Sequence, residues 1–273
     1  MGKGKIPAIS IVTPTFNAAK TFQRTIDSIL GQGYPGLEYI VVDGGSQDGT
    51  LDIVKKNLSG ISHWISEKDK GIYDAMNKGV RMAKGEWIGI LNADDFYLDG
   101  VLEKLRSLIE AHPDVDVFYA DIRMVFTAMP PYVYKSSPCL HRNVFWKMPV
   151  WHPTMFVRKE AYEKWGRFED GYRIAADYEF VLRLFKQGAR FHHTDSLWVE
   201  MQGGGASDVS WRKGKDEIRK IAEDHGVFSG SLKLFFHLDY WKTELACSIQ
   251  TIPVLKVLQF WYRTCKSKLK PGF

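Results

Sequence analysis

Two carboxylates stand side by side at Asp94-Asp95, directly after the apolar run Trp87-Ile-Gly-Ile-Leu91. Neighbouring carboxylates repel, so both stay ionised only with positive charge between them. Hard oxygen ligands in this number suit Mg²⁺ or Mn²⁺, which keep open positions for a substrate's phosphates. The competing reading is local, with Asp95 capping a helix that starts near Leu98. The run before the pair has strand length and is entered through Gly85, as expected of a strand buried on both faces. Open α/β sheets place their ligands just past such carboxyl ends.

The elements around the pair repeat one pattern. Strands are predicted at 8–13, 37–43, 61–66, 87–91 and 115–120, with helices at 18–30, 50–58, 72–84 and 98–111. Strands alternating with helices of this length specify an α/β fold with a doubly wound, mostly parallel sheet. After Asp121 the prolines at 130, 131, 138, 149 and 153 break the chain into short strands and loops. A helix returns at 175–187, and the chain from 209 onward reads as mostly helical.

The chain has 273 residues, 45% hydrophobic and 25% charged, enough for a sizeable core. Cys139, Cys247 and Cys265 form no close pair, so neither a disulfide framework nor a zinc site is expected, which fits a reducing cytoplasm. The apolar run near the N-terminus is too short for a signal peptide, and no stretch is long and apolar enough to span a membrane. The net charge of +5 lies in the tail. Residues 231–273 carry seven Lys/Arg against two acids, while residues 1–230 balance at 30 of each sign. In the tail, Val254, Val257, Leu258, Trp261 and Cys265 share a helical face flanked by Lys256, Arg263, Lys266, Lys268 and Lys270. A basic amphipathic helix of this kind reads as an interfacial membrane anchor, and its rival is a helix packed on the domain or on a dimer partner. A charge excess confined to one aromatic tail argues against nucleic-acid binding.

Nucleotide chemistry has further candidates. Asp43 ends the second strand and begins Asp43-Gly-Gly-Ser-Gln-Asp-Gly49. That loop is neither a dinucleotide fingerprint nor a P-loop. Asp43 can accept hydrogen bonds from a base or ribose, or bond its own turn.

Several segments then occur in order: Ile11-Val-Thr-Pro-Thr-Phe-Asn17, Val41-Val-Asp-Gly-Gly-Ser-Gln-Asp-Gly-Thr50, Glu67-Lys-Asp-Lys-Gly-Ile-Tyr-Asp-Ala-Met-Asn-Lys-Gly79 and Leu91-Asn-Ala-Asp-Asp95. Together they resemble the nucleotide-sugar half of a family-2 glycosyltransferase with the GT-A fold. Trp151-His-Pro-Thr-Met-Phe-Val157 and Arg173-Ile-Ala-Ala-Asp-Tyr-Glu-Phe-Val-Leu-Arg183 resemble its acceptor half. The resemblance covers about residues 6–205 and is nearest to bacterial enzymes that build surface polysaccharide or lipopolysaccharide. It implies a GT-A domain over 1–230, with a nucleotide-sugar half at about 6–120 and an acceptor half at about 121–230. A helical tail follows at 231–273.

The resemblance also implies roles. Phe16 stacks on the donor's base, with Pro14 and Thr15 beside it, unless Phe16 is core. Asp43, Asp69, Lys70, Gly71, Asn77, Asn92 and Asp94 line the nucleotide-sugar site, although Lys70 reads equally as a solvated surface charge. Asp94 and Asp95 hold Mn²⁺ or Mg²⁺. Asp177 is the catalytic base, with an N-cap as its rival role. His152 and Arg183 lie on the acceptor or phosphate side, Arg183 alternatively pairing with Glu179 at i,i+4. Relatives often carry a second acid where this chain has Gly44, and an acid where it has Asn92 and Ala176. The Gln-x-x-Arg-Trp motif of processive synthases is absent, so one sugar is expected per encounter. The expected activity is that of an inverting hexosyltransferase moving a sugar from a nucleotide-diphosphate sugar, taken as a UDP-sugar, to a glycan or lipid-linked acceptor. The expected place is the cytoplasm, peripheral to the inner face of the plasma membrane, with a homodimer left open. The alternatives are a degenerate module that binds donor or glycan without turnover and, less well matched, a sugar-nucleotide pyrophosphorylase.

Overall fold

The computed structural model describes residues 6–126, 129–203, 210–228, 230, 234, 236, 238 and 241. The first half follows the expected alternation: β1 (Ile9–Thr15), α1 (Phe22–Leu30), β2 (Leu37–Asp43), α2 (Thr50–Lys56), β3 (His63–Ser66), α3 (Ile72–Met82) and β4 (Trp87–Ile90). The four strands pair in parallel in the order β3-β2-β1-β4. Every residue of β1 and β4 is buried, which is why these stretches read as unbroken apolar runs rather than alternating ones. Side chains nonetheless alternate between faces. Ile9, Ile11, Tyr39, Val41 and Trp87 pack with α1, α2 and the later helix Val101–Ala111. Val12, Ile40, Val42, Ile88 and Ile90 pack with α3 and the helices of the second half.

That second half comprises β5 (Phe96–Tyr97), α4 (Val101–Ala111), β6 (Val117–Phe126), β7 (Met129–Tyr134), β8 (Phe156–Arg158), α5 (Lys159–Trp165), α6 (Ala176–Lys186), β9 (Phe191–Gln202) and α7 (Trp211–Asp224). Here the sheet becomes mixed. β8 inserts antiparallel between β4 and β6, β9 runs parallel to β6, and β5 closes antiparallel on β9. β7 pairs with β6 alone and contains Pro130 and Pro131, residues that lack the N–H a second neighbour would need.

Two boundaries correct the sequence reading. The helix expected from Leu98 starts at Val101 and is led by Gly100 at φ 74°, so Asp95 does not cap it. The helix expected at 175–187 spans Ala176–Lys186 with Ala175 at its N-cap, which places Asp177 inside the first turn rather than at the cap. The amphipathic tail at 253–270 lies outside the described residues. Among the described residues, no helix is long and apolar enough to cross a membrane.

Helix α3 carries most of the Glu67–Gly79 motif, and Gly79 brings it against β1. A Cβ on Gly79 would lie 2.1 Å from Val12 Cγ1. In an open helix, Gly→Ala would stabilise by about 1 kcal/mol. Here overpacking wins, and Gly79→Ala is expected to lower stability by about 1–3 kcal/mol, read as a fall in the urea midpoint. A raised midpoint would mean that α3 does not rest on Val12.

Candidate functional site

The register aligns the carboxyl ends of the parallel strands. Thr15 lies opposite Asp43, and Asp43 opposite Ser66, while Val12 faces Ile90 one turn of pleat earlier. The loops that follow therefore open along one edge, beside the β1–β4 switch in strand order, where α/β sheets bind ligands. Pro14, Thr15, Phe16, Asp43, Asp69, Lys70, Gly71, Asn92, Asp94 and Asp95 all fall on this edge.

The glycine-rich loop is built by its own acids. Asp43 is fully buried, and its Oδ2 accepts from the N–H groups of Gly45 and Ser46 at 3.0 Å and from Ser66 Oγ at 2.7 Å. Its Oδ1 accepts from Ser46 Oγ. Asp43 thus bonds its own turn, and a base or ribose contact would have to exchange one of these bonds. Asp48 accepts from Thr50 Oγ1 at 2.6 Å and from the Ala19 N–H at 3.0 Å, which holds its carboxyl below the usual range. Asn17, at φ 48°, accepts from the Gln47 N–H at 2.9 Å. Asn17, Ser46, Asp48 and Thr50 therefore fasten the β1 and β2 loops together, a role the sequence reading did not assign.

Phe16 is 63% exposed, which removes core packing as its role. Its ring stands over Gly44, and so does Asp69. A Cβ built on Gly44 would lie 2.4 Å from Asp69 Oδ2 and 3.4 Å from Phe16 Cδ2. The missing side chain at 44 is thus the space that the Asp69 carboxylate occupies. Asp69 is steadied by the Gly71 N–H, which donates to its Oδ1 at 2.9 Å. Lys70 is exposed, and its backbone N–H donates to Asp74.

Asp94 and Asp95 sit in a tight turn closed by the Asp95 N–H to the Asn92 carbonyl at 3.1 Å. Helix α1 holds this turn, with Thr21 Oγ1 donating to the Ala93 carbonyl and Thr25 Oγ1 to the Asp95 carbonyl. Asp95 is only 2% exposed. Burial, then the charge of Asp94, pushes its carboxyl well above the usual range, against the opposing donors Asn92 Nδ2 and the Gln202 N–H. Burial raises Asp94 as well. Asn92 Oδ1 is buried without a hydrogen-bond partner. Two desolvated carboxylates and an orphaned amide oxygen are the donor set that a hard divalent cation accepts, so these residues fit Mg²⁺ or Mn²⁺. Among the described residues no group of three or more His, Cys, Asp or Glu could hold a metal ion, so the fit rests on Asp94, Asp95 and Asn92.

At the start of α6, Asp177 keeps part of its surface exposed. Burial of the rest raises its carboxyl, while His152, the Tyr178 N–H and the Tyr73 hydroxyl pull it down. The Tyr73 hydroxyl lies 3.1 Å from Asp177 Oδ1 and 2.8 Å from the Ile174 carbonyl. Burial lowers the His152 imidazole, so it is neutral at pH 7. His152 sits in a short turn, His152–Thr154, that packs on β4 and β6 and joins the two halves of the edge.

Two expected site residues are committed elsewhere. Asn77 is buried, donating to the Phe168 carbonyl at 2.8 Å and accepting its N–H at 3.0 Å, so its amide is spent tying α3 to the loop at Phe168. Arg183 makes the bidentate pair with Glu179, two contacts of 2.9 Å, and donates to the carbonyls of Trp165 and Arg167. Of its two readings, intrahelical pairing is the one observed.

The carboxylate pair also makes stability depend on pH. Folded values raised above the ordinary Asp value near 4 mean stability that is complete below that pH and lost as pH rises through the raised values. In chelator, the urea midpoint is therefore expected to fall less between pH 5 and pH 8 in Asp95→Asn than in the unaltered protein. Equal falls would show that the cation-free pair is not strained.

Residues 10–166 match the family model for glycosyl transferase family 2. The PGL/p-HBAD biosynthesis glycosyltransferase of Mycobacterium bovis is 34% identical over 187 residues, covering 67% of this chain and 72% of the relative. TarS 1–349 of S. aureus, in complex with UDP-GlcNAc, superposes with a TM-score of 0.65 at 20% identity, over 78% of this chain and 65% of that one. This chain spans 39% of the longer TarS structure. The mannosyltransferase PcManGT of Pyrobaculum calidifontis, with GDP-Man and Mn²⁺, also gives 0.65 at 19% identity, over 97% and 82% of the two chains. The mixed sheet described above is that of the GT-A fold, and the chain belongs to glycosyl transferase family 2.

Proposed function

We propose that the chain is a metal-dependent, inverting glycosyltransferase that moves one sugar from a nucleotide-diphosphate sugar, taken as a UDP-sugar, to a glycan or lipid-linked acceptor in cell-surface polysaccharide synthesis. The observation that carries the reading is the gathering of Phe16, Asp69, Asp94 and Asp95 on one edge of the parallel strands. An exposed aromatic ring offers a stacking face for a base, and Asp69 beside it accepts hydrogen bonds. A divalent cation held by Asp94 and Asp95 would supply positive charge against the departing diphosphate. The structural relatives hold UDP-GlcNAc, or GDP-Man with Mn²⁺, which supports both a nucleotide-sugar donor and a cation here.

Asp177 takes the proton from the acceptor hydroxyl as its oxygen attacks the anomeric carbon. The bond from that carbon to the diphosphate breaks on the opposite face, which inverts the configuration. A carboxylate pushed up by burial suits this task, since a base works best with its pKa near the working pH. His152 is neutral beside it, so it can orient the hydroxyl without competing for charge.

The test is nucleotide release and binding across a panel of nucleotide sugars, with Mn²⁺, with Mg²⁺ and with chelator. Metal-dependent release of UDP from one sugar is expected, abolished in Asp95→Ala. Asp177→Asn is expected to lose transfer by about 10²–10⁴-fold while still binding donor. Donor binding without turnover under any condition would leave a binding module, and no binding at all would end the transferase reading.

The tail belongs to the same proposal. Leu234, Leu238 and Trp241 share a helical spacing and are 63%, 60% and 71% exposed. Together with the basic excess of 231–273 they suit an anionic membrane surface, where each Lys or Arg adds about 1 kcal/mol. A chain ending before Ser231 is expected to move from the membrane to the soluble fraction, and an unchanged distribution would remove the anchor.

A further inference from the structure

The chain reaches Asp177 through a segment that another helix holds. Glu217 of α7 accepts the Arg173 N–H on Oε1 at 2.9 Å, and those of Ile174 and Ala175 on Oε2 at 2.8 and 2.9 Å. These three N–H groups precede α6, whose own first hydrogen bond runs from the Glu179 N–H to the Ala175 carbonyl. Glu217 therefore does more than cap a helix. It fixes three consecutive peptide groups that end two residues before Asp177. Tyr73 grips the same segment through the Ile174 carbonyl while touching Asp177 Oδ1. Helix α7 is itself fastened nearby, since Tyr172 donates to Asp224 at 2.7 Å and His225 Nε2 lies 3.0 Å from Glu179 Oε1. Glu217 lies beyond residues 10–166, the stretch matched to the family.

We propose that Glu217 is a positioning residue for Asp177, clamping the Arg173–Ala175 peptide groups against Tyr73 so that the carboxylate meets the acceptor hydroxyl in a fixed direction. The proposal rests on Asp177 being the base. Charge-assisted bonds to a carboxylate are about twice as strong as neutral ones, so three of them leave the segment little freedom. Burial raises the Tyr73 phenol, the Asp177 charge adds to it, and the Glu217 charge contributes least. The groups that act on Asp177 directly are His152 from the turn before β8, Tyr73 from α3 and the Tyr178 N–H from α6, and Glu217 from α7 stands behind them on the Arg173–Ala175 peptide groups. Removing one negative charge from this set makes Asp177 easier to ionise, so the acid limb of a rate profile that needs the base ionised moves to lower pH.

The experiment compares Glu217→Gln, Glu217→Asp and Asp177→Asn in the full chain. It follows UDP release from UDP-GlcNAc and the other panel donors with Mn²⁺, and titrates the Asp177 carboxyl by carbon-13 NMR with no ligand present. In Glu217→Gln, kcat is expected to fall roughly tenfold to a hundredfold with the donor KM changed by no more than about twofold. Its acid limb and the Asp177 resonance both move to lower pH. Glu217→Asp, which keeps the charge but shortens the reach, restores the limb and not the rate. An unchanged rate, limb and resonance in Glu217→Gln overturns the proposal, even where the melting temperature drops, because that is all a purely structural acid would do. Turnover retained in Asp177→Asn is the separate failure of the base assignment. A shifted Asp177 resonance in Glu217→Gln would then still support the clamp, and an unmoved one would end it.

Discussion

Buried negative charge at the end of β4 is the constraint on which this edge of the molecule depends. Asp95 is desolvated beside Asp94, and the groups that act on it (Asp94, Asn92 and the Gln202 N–H) include no cation. A fold tolerates such a pair only when the surrounding backbone holds it in place. Thr21 and Thr25 of α1 do so through the carbonyls of Ala93 and Asp95. β9 adds the Gln202 N–H from the far end of the sheet. The central strands supply the rigidity. β1 and β4 are buried on both faces, so the loop beyond Ile90 cannot relax without disturbing the core.

The first half of the chain was legible because each motif there sits where a parallel strand ends, and strand ends follow from apolar runs and glycines. β2 fell at Leu37–Asp43 as its sequence predicts, and the edge that gathers Phe16, Asp69, Asp94 and Asp95 follows from it. What the sequence concealed was which polar side chains face a ligand and which face the protein. Asn77 and Asp69 stand eight residues apart in one motif, yet one bonds Phe168 and the other occupies the space over Gly44. Helical spacing alone does not separate these fates, since Asn77 meets its partner across 91 residues. Tyr73 and Glu217 were missed for the same reason. Their shared partners, the Ile174 carbonyl and the N–H groups of Arg173, Ile174 and Ala175, are backbone atoms, and backbone atoms leave no mark on residue type. Arg183 was legible as a pair of readings, and the i,i+4 spacing to Glu179 held the one that is observed.

The second half of the chain was harder because β8 breaks the alternation. A three-residue antiparallel strand between β4 and β6 carries too few residues for periodicity to register, and β9 returns parallel to β6 with shifts in register around Asp121. The order of this half is set by tertiary pairing, not by local pattern, and so the prolines at 130 and 131 read as breaks although they lie in an edge strand.

Gly44 and the raised carboxylates invite one further step. A second acid at position 44 would displace the Asp69 carboxylate, since its Cβ would meet Asp69 Oδ2 at 2.4 Å. The acid beside Phe16 is supplied instead from the loop after β3, so the absence of a second acid after Asp43 is no argument for lost function. Burial then raises Asp94, Asp95 and Asp177 alike, but relief comes by different means. The adjacent pair can shed its strain only by taking a cation or a proton, and two carboxylates with an orphaned amide oxygen favour the cation. Asp177 stands beside His152 and the Tyr73 phenol, and on the proposed reaction it takes the proton of the acceptor hydroxyl. On the proposed reaction, one physical perturbation, loss of water around a carboxylate, thus yields a cation site and a base, separated by what stands beside each acid.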